Sequence, residues 1–150
     1  MKETFTVAES DLGELAEGVI KTLVSEDTGK AKVLFLHGDL GAGKTTFTKE
    51  LAHVLGIKKE DVHSPTFILK KEYKGNHPSF KKLIHVDAYR FSGAEEVEVL
   101  KLSEDYEDKE TLIVAEWPTQ LFGHLKEDME LSFSILDDEM RSITVNYVRP

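Results

Sequence analysis

Apolar positions recur along the chain with two periods, and the switches between them lay out the elements. Thr4-Phe5-Thr6-Val7 alternates, as in a half-exposed strand. From Leu12 the period lengthens: Leu12, Leu15, Ala16, Val19, Ile20 and Leu23 share one face of a helix reaching Val24, with Ser10 placed to cap it. This helix reads as a core-facing element. Val33–Leu36 is an unbroken branched-rich run, the pattern of a strand buried on both faces. Helical spacing returns in Phe47, Leu51, Val54 and Leu55, predicting a helix over Lys44–Leu55 that Gly56 ends. Phe67–Tyr73 and Leu83–Tyr89 read as strands joined by the turn Lys74-Gly75-Asn76-His77-Pro78-Ser79, hence a hairpin. Ser92 with Glu95 has capping-box spacing and predicts a helix to about Leu102. Thr111–Ala115 is a second unbroken apolar run. Pro118 suits the opening of a short helix, Thr119–Leu125, and Met129–Leu136 and Ser142–Val148 alternate around Asp137-Asp138-Glu139-Met140 as a C-terminal antiparallel hairpin. With no internal repeat or linker, residues 1–150 are expected to form a single domain.

The first apolar run ends in Gly38-Asp39-Leu40-Gly41-Ala42-Gly43-Lys44-Thr45, the spacing G-x-x-x-x-G-K-[ST] of a phosphate-binding loop. Each residue type has its own reason to be there. Glycines let the backbone turn tightly and bring successive N–H groups to phosphate oxygens. Lys44 can reach β- and γ-phosphates, Thr45 can offer its hydroxyl to Mg²⁺, and a helix N-terminus favours an anion. The motif is short, but strand, glycine loop and helix follow one another in the order it requires.

Composition narrows the classes. The chain has 19 Lys and Arg against 28 Asp and Glu, a net charge of −9, and no cysteine. Disulfides, cysteine zinc sites and thiol nucleophiles are thereby excluded. An acidic surface is a poor direct ligand for nucleic acid, so any RNA is expected to be held by a partner. No signal-like or membrane-spanning run is visible, and a cytoplasmic location is expected. Residues 95–110 hold eight acidic and two basic residues; a solvated helical face is the favoured reading, a docking surface for a basic partner the sharper one.

In open α/β sheets ligands sit at the carboxyl ends of strands, so acids at strand ends are the candidates for metal and water. There are two, Asp87 and Glu116. Nucleotide hydrolysis needs a cation bridging β- and γ-oxygens and a group to orient water. Glu116 follows the four apolar residues Leu112-Ile113-Val114-Ala115, and Asp87 shares a strand face with His85 and Tyr89. No pair of the six histidines has helical metal spacing, and His37 and His85 are expected to be buried strand residues. Thr66, in the Pro65 loop, either senses a γ-phosphate or merely opens a strand. Trp117, the sole tryptophan, is expected to anchor the core or pack at the site mouth.

Gly38–Thr46, Ser64-Pro65-Thr66-Phe67, His85-Val86-Asp87-Ala88-Tyr89-Arg90 and Glu116-Trp117-Pro118 together closely resemble the bacterial TsaE family, the YjeE-type ATPases. The resemblance covers nearly the whole chain. It implies an α/β P-loop NTPase fold, with a mostly parallel central sheet flanked by helices, antiparallel edge strands and a C-terminal β-hairpin. It implies a Mg²⁺-dependent ATPase that assists TsaB and TsaD in placing a threonylcarbamoyl group on the adenosine beside the anticodon of tRNA. By residue, it implies an ATP cradle of Asp39, Leu40, Gly41, Ala42, Gly43, Lys44, Thr45 and Thr46, and Mg²⁺ contacts from Thr45 and Glu116. Asp87 is tied to hydrolysis, Thr66 is a further catalytic candidate, and Arg141 is the hairpin arginine placed to touch nucleotide. Phe67, Ala88 and Thr119 depart from the residues frequent in the family, but none removes a phosphate or metal ligand.

Three other readings compete. A small-molecule kinase would clamp its substrates with several arginines, and only Arg90, Arg141 and Arg149 are present. A GTPase would carry N-K-x-D, which is absent. A nucleotide-gated scaffold with negligible turnover fits the same residues.

Overall fold

The computed structural model describes residues 2–39, 41–63, 70–88, 95, 98, 100–121 and 123–148. Leu40, the Ser64–Phe67 motif with Thr66, Tyr89, Arg90, Ser92 and Arg149 lie outside the described residues. Seven strands form one sheet: β1 (Lys2–Ala8), β2 (Lys32–His37), β3 (Lys70–Lys74), β4 (Lys82–Asp87), β5 (Thr111–Glu116), β6 (Met129–Ile135) and β7 (Met140–Tyr147), in spatial order β1-β7-β6-β2-β5-β4-β3. The four central strands, β6, β2, β5 and β4, are mutually parallel. β3 adds antiparallel at one edge, and β7 and β1 add antiparallel at the other.

Alternation along β2 and β5 divides the core. Leu34, Leu36, Leu112 and Val114 face α1 (Leu12–Val24) and α2 (Lys44–Val54), whose buried stripes include Ala16, Val19, Leu23, Phe47 and Leu51. Val33, Phe35, Ile113 and Ala115 face the other way, towards α3 (Leu102–Tyr106), Leu121 and Leu125. Both runs read from the sequence as buried strands are buried along their lengths, with only His37 at the tip of β2 half-exposed. Covering a parallel sheet on both faces is what such runs require.

Several local expectations change. Ser10 does not cap α1; it sits within a 3-10 turn, Glu9–Asp11, and the Asp11 carboxylate reaches back to accept the Ala8 N–H at 2.9 Å. Of the helix expected from Ser92 to about Leu102, Glu95 and Glu98 are helical and most of the remainder lies outside the described residues; Leu102 opens a separate helix, α3, after Lys101 adopts a left-handed backbone (φ 55°). The expected helix over Thr119–Leu125 is a single 3-10 turn, Pro118–Leu121. His37 is half-exposed, 3.4 Å from Glu130, since β2 emerges from the core at that residue. The acidic segment is tied down by lysines: Asp105 to Lys70 at 2.5 Å, Asp108 to Lys82 at 3.7 Å, and Glu107 to Lys30. Among the described residues no helix is long and apolar enough to cross a membrane.

Parallel pairing of β6 with β2 joins segments more than ninety residues apart, and a buried acid guides it. Asp128, 2 % exposed, accepts the Val33 N–H through Oδ2 at 2.8 Å while its own N–H donates to Val33 O at 2.8 Å. Removing the carboxylate strands a buried N–H. Asp128→Ala is therefore expected to cost about 2 kcal/mol, roughly 4–8 °C in Tm by thermal unfolding. Asp128→Asn, which keeps an acceptor oxygen, is expected to lose less.

Candidate functional site

Because β2, β5 and β4 run parallel, their carboxyl ends meet on one edge of the sheet. The register aligns Leu36 with Glu116 and Glu116 with Asp87. Aligned residues of neighbouring strands point to the same face, so both strand-end acids stand on the face that carries α2. The glycine loop leaves β2 two residues beyond Leu36 and delivers Lys44 to the start of α2.

Two glycines make that passage. Gly43 precedes α2 with φ 106°, a left-handed backbone that a side chain rarely adopts. Gly38 has φ 147°, and a Cβ there would stand 2.9 Å from Phe133 O and 3.1 Å from Phe133 Cβ. The loop thus runs hard against β6. Phe133 packs edge-on to Phe47 at 5.7 Å between centroids, which ties β6 to the first turn of α2. Inside the loop the Ala42 N–H donates to Asp39 O at 3.1 Å.

Lys44 is buried, and its Nζ donates to Gly38 O at 2.6 Å while lying 4.0 Å from the centroid of the Trp117 ring. Burial pulls the ammonium below its ordinary pKa, and the carboxylates of Glu116, Asp87 and Asp39 push it back up. A cation held at the expense of solvation gains from an arriving anion. Trp117 carries φ 56°, an outlier for a bulky residue, and that strained bend directly after β5 sets its ring beside Lys44.

Glu116 is 4 % exposed, and its Oε2 accepts the Nε2–H of the fully buried His85 at 2.6 Å. Asp87, Thr45 and Thr46 are half-buried and Asp39 is exposed. Lys44, Asp87, Glu116 and Thr45 are therefore gathered at one edge. Arg141 is the second residue of β7, paired with Ile135 and Val7, and its guanidinium bonds Asp137 O at 2.8 Å and Met140 O at 3.0 Å, so it first of all closes its own hairpin. Two features escaped the sequence reading: the Phe133 wall behind Gly38, and the pairing of His85 with Glu116. The strand periods could have revealed the pairing, because His85 shares a face with Asp87. A second concavity of about 1020 Å³ lies between α1, β1 and β7. Among the described residues its walls are mostly apolar side chains with Thr6, Thr22, Glu3, Asp11 and Glu14 and no cation, chemistry unsuited to phosphate.

The family model described as threonylcarbamoyl adenosine biosynthesis protein TsaE matches residues 6–143. The chain is 38 % identical over 141 residues to the tRNA threonylcarbamoyladenosine biosynthesis protein TsaE of Streptomyces coelicolor, covering 88 % of this chain and 87 % of that one. It is 34 % identical over 146 residues to the protein of the same name from Aquifex aeolicus, covering 97 % and 96 %. The crystal structure of Bacillus subtilis YdiB superposes with a TM-score of 0.67 at 28 % identity, over 99 % of this chain and 87 % of that one.

The backbone strain at Gly38 gives a direct check. Gly38→Ala is expected to lose about 1–3 kcal/mol in thermal unfolding. Gly18→Ala, where nothing lies within 4 Å of the added Cβ in the middle of α1, is expected to gain about 0.5–1 kcal/mol.

Proposed function

The chain belongs to the TsaE family of threonylcarbamoyl adenosine biosynthesis proteins, and from that premise we propose that it is the ATP-binding and ATP-hydrolysing accessory of this tRNA modification. One observation carries the reading: a buried lysine at the mouth of a glycine loop, beside two strand-end carboxylates on the same sheet face. The proposed fold is a P-loop NTPase in a single domain. Its proposed partners are TsaB-like and TsaD-like proteins in the cytoplasm, with tRNA reached through them because a net charge of −9 opposes direct binding.

In this reading the loop residues Asp39, Leu40, Gly41, Ala42 and Gly43, with Lys44, Thr45 and Thr46 at the start of α2, cradle the phosphates. Lys44 leaves Gly38 O for phosphate oxygens. Thr45 and Glu116 would hold Mg²⁺, which when bound neutralises charge developing on the β- and γ-oxygens. Among the described residues no three His, Asp or Glu side chains form a preformed metal cage. That suits a cation that draws most of its ligands from phosphate and water and needs only one or two protein oxygens. Asp87 orients the attacking water and receives its proton; Thr66 is assigned to sensing the γ-phosphate. Arg141 reaches nucleotide by exchanging a carbonyl of its own turn. Against a small-molecule kinase stands the scarcity of arginines, of which the chain has only three.

Isothermal titration calorimetry with a non-hydrolysable ATP analogue tests the binding site. Lys44→Ala is expected to weaken binding about 10- to 100-fold, the worth of one charge-assisted phosphate contact. Unchanged affinity would remove the site. Turnover of ATP, measured with and without the partner proteins, separates an enzyme from a nucleotide-gated scaffold. Asp87→Ala is expected to keep the binding affinity and to slow turnover on the order of 100-fold.

A further inference from the structure

His85 is an unusual occupant of its position. Its neighbours on β4, Leu83, Ile84 and Val86, are fully buried and apolar, and a branched aliphatic side chain would suit the strand. The imidazole is itself fully buried, and among the described residues its Nδ1 has no hydrogen-bond partner. Buried polar atoms are rarely left unmatched, and an exception calls for a reason. Its strong polar contact is the 2.6 Å hydrogen bond from Nε2 to Glu116 Oε2.

That bond acts on the geometry of the carboxylate. Glu116 is the last residue of β5, and the backbone turns sharply after it at Trp117. A glutamate has three side-chain torsions, and at a strand end it would sample several of them. His85 reaches across from β4, where its Cα partner on β5 is Val114, and fixes one oxygen of Glu116 from within the sheet. Among the described residues nothing hydrogen-bonds the other oxygen, Oε1. We propose that His85 is a positioning residue: it clamps Oε2 of Glu116 so that Oε1 is presented, in one orientation, to a divalent cation at the strand ends. The inference rests on the reading of Glu116 as a metal contact. It assigns the histidine no charge change and no contact with nucleotide. Partners that orient a metal ligand in this way commonly tune metal affinity by an order of magnitude or more.

The test measures metal-dependent binding, with no turnover. The affinity of a fluorescent ATP analogue is titrated against Mg²⁺ and, separately, measured in EDTA. Each variant's folding is followed by thermal unfolding. His85→Leu is expected to raise the Mg²⁺ concentration for half-maximal tightening about tenfold, with binding in EDTA unchanged. His85→Gln, whose amide nitrogen can occupy the place of Nε2, is expected to restore most of the loss. A purely structural histidine would alter Tm in both variants and leave the Mg²⁺ requirement at its wild-type value, which overturns the proposal. Glu116→Gln is measured alongside. If it too leaves the Mg²⁺ requirement unchanged, the metal role of Glu116 is wrong and the inference falls with it; a raised requirement in Glu116→Gln alone removes only the role of His85. If His85→Leu does not fold, His85→Asn replaces it, since its shorter amide cannot reach Oε2. Equal Mg²⁺ requirements in the Gln and Asn variants then overturn the proposal, and a higher one in Asn upholds it.

Discussion

Parallel register at the centre of the sheet is the constraint from which the site follows. β5 lies between β2 and β4, every one of its six residues is buried, and its last ladder position is Glu116. Parallel strands end on a common edge, so the glycine loop after β2 and the acids closing β4 and β5 meet without any loop having to search for the others. The same register admits no slip. A shift of one residue would turn Glu116 from the α2 face into the apolar layer that holds Phe35, Ala115 and Leu121. The apolar alternation that stabilises the core thus also sets the side on which the carboxylates stand.

Around that edge the structure holds polar groups in positions that folding alone does not favour. Lys44 is buried, Trp117 has a left-handed backbone, and His85 keeps an unmatched ring nitrogen. Each lies on or beside the last residues of β4 and β5 or the first residue of α2. Elsewhere Lys101 also carries a left-handed backbone and Lys32 is buried, while the acidic segment is neutralised by Lys30, Lys70 and Lys82. The combination of a buried cation, a strained backbone and a buried ring at one strand edge is what a site held ready for a ligand would show.

Much of this was legible in the chain because the determining contacts are local. β2, the glycine loop and α2 are consecutive, and their periods, glycines and lysine read directly. Glu116 stood out because four apolar residues precede it. Contacts made across sequence distance did not show. Nothing local announces that β5 inserts between β2 and β4, that Gly38 abuts Phe133, or that Asp128 pins β6 to Val33. Helix starts were misread for a different reason. Ser10 and Asp11 are both able caps, and the choice between them depends on the 3-10 turn that precedes α1. The strand period accounts for the burial of His85 but not for its bond to Glu116, because that partner lies on another strand.

The charges at the site have a further consequence for how it fills. Lys44 stands close enough to Glu116, Asp87 and Asp39 for all three carboxylates to act on its ionisation. In the proposed reading, a triphosphate arriving alone gains the lysine and the helix terminus but meets those carboxylates. A divalent cation arriving alone gains the carboxylates but meets the ammonium. Arriving together, each masks the repulsion that the other would meet, so their binding free energies are coupled, and the coupling is reciprocal. The low solvation that depresses the Lys44 pKa also weakens screening, which strengthens every term in that balance. In that reading a mixed cluster of one buried cation and flanking carboxylates would select a metal–nucleotide pair over either ion by itself, whereas an all-basic pocket would take any phosphate.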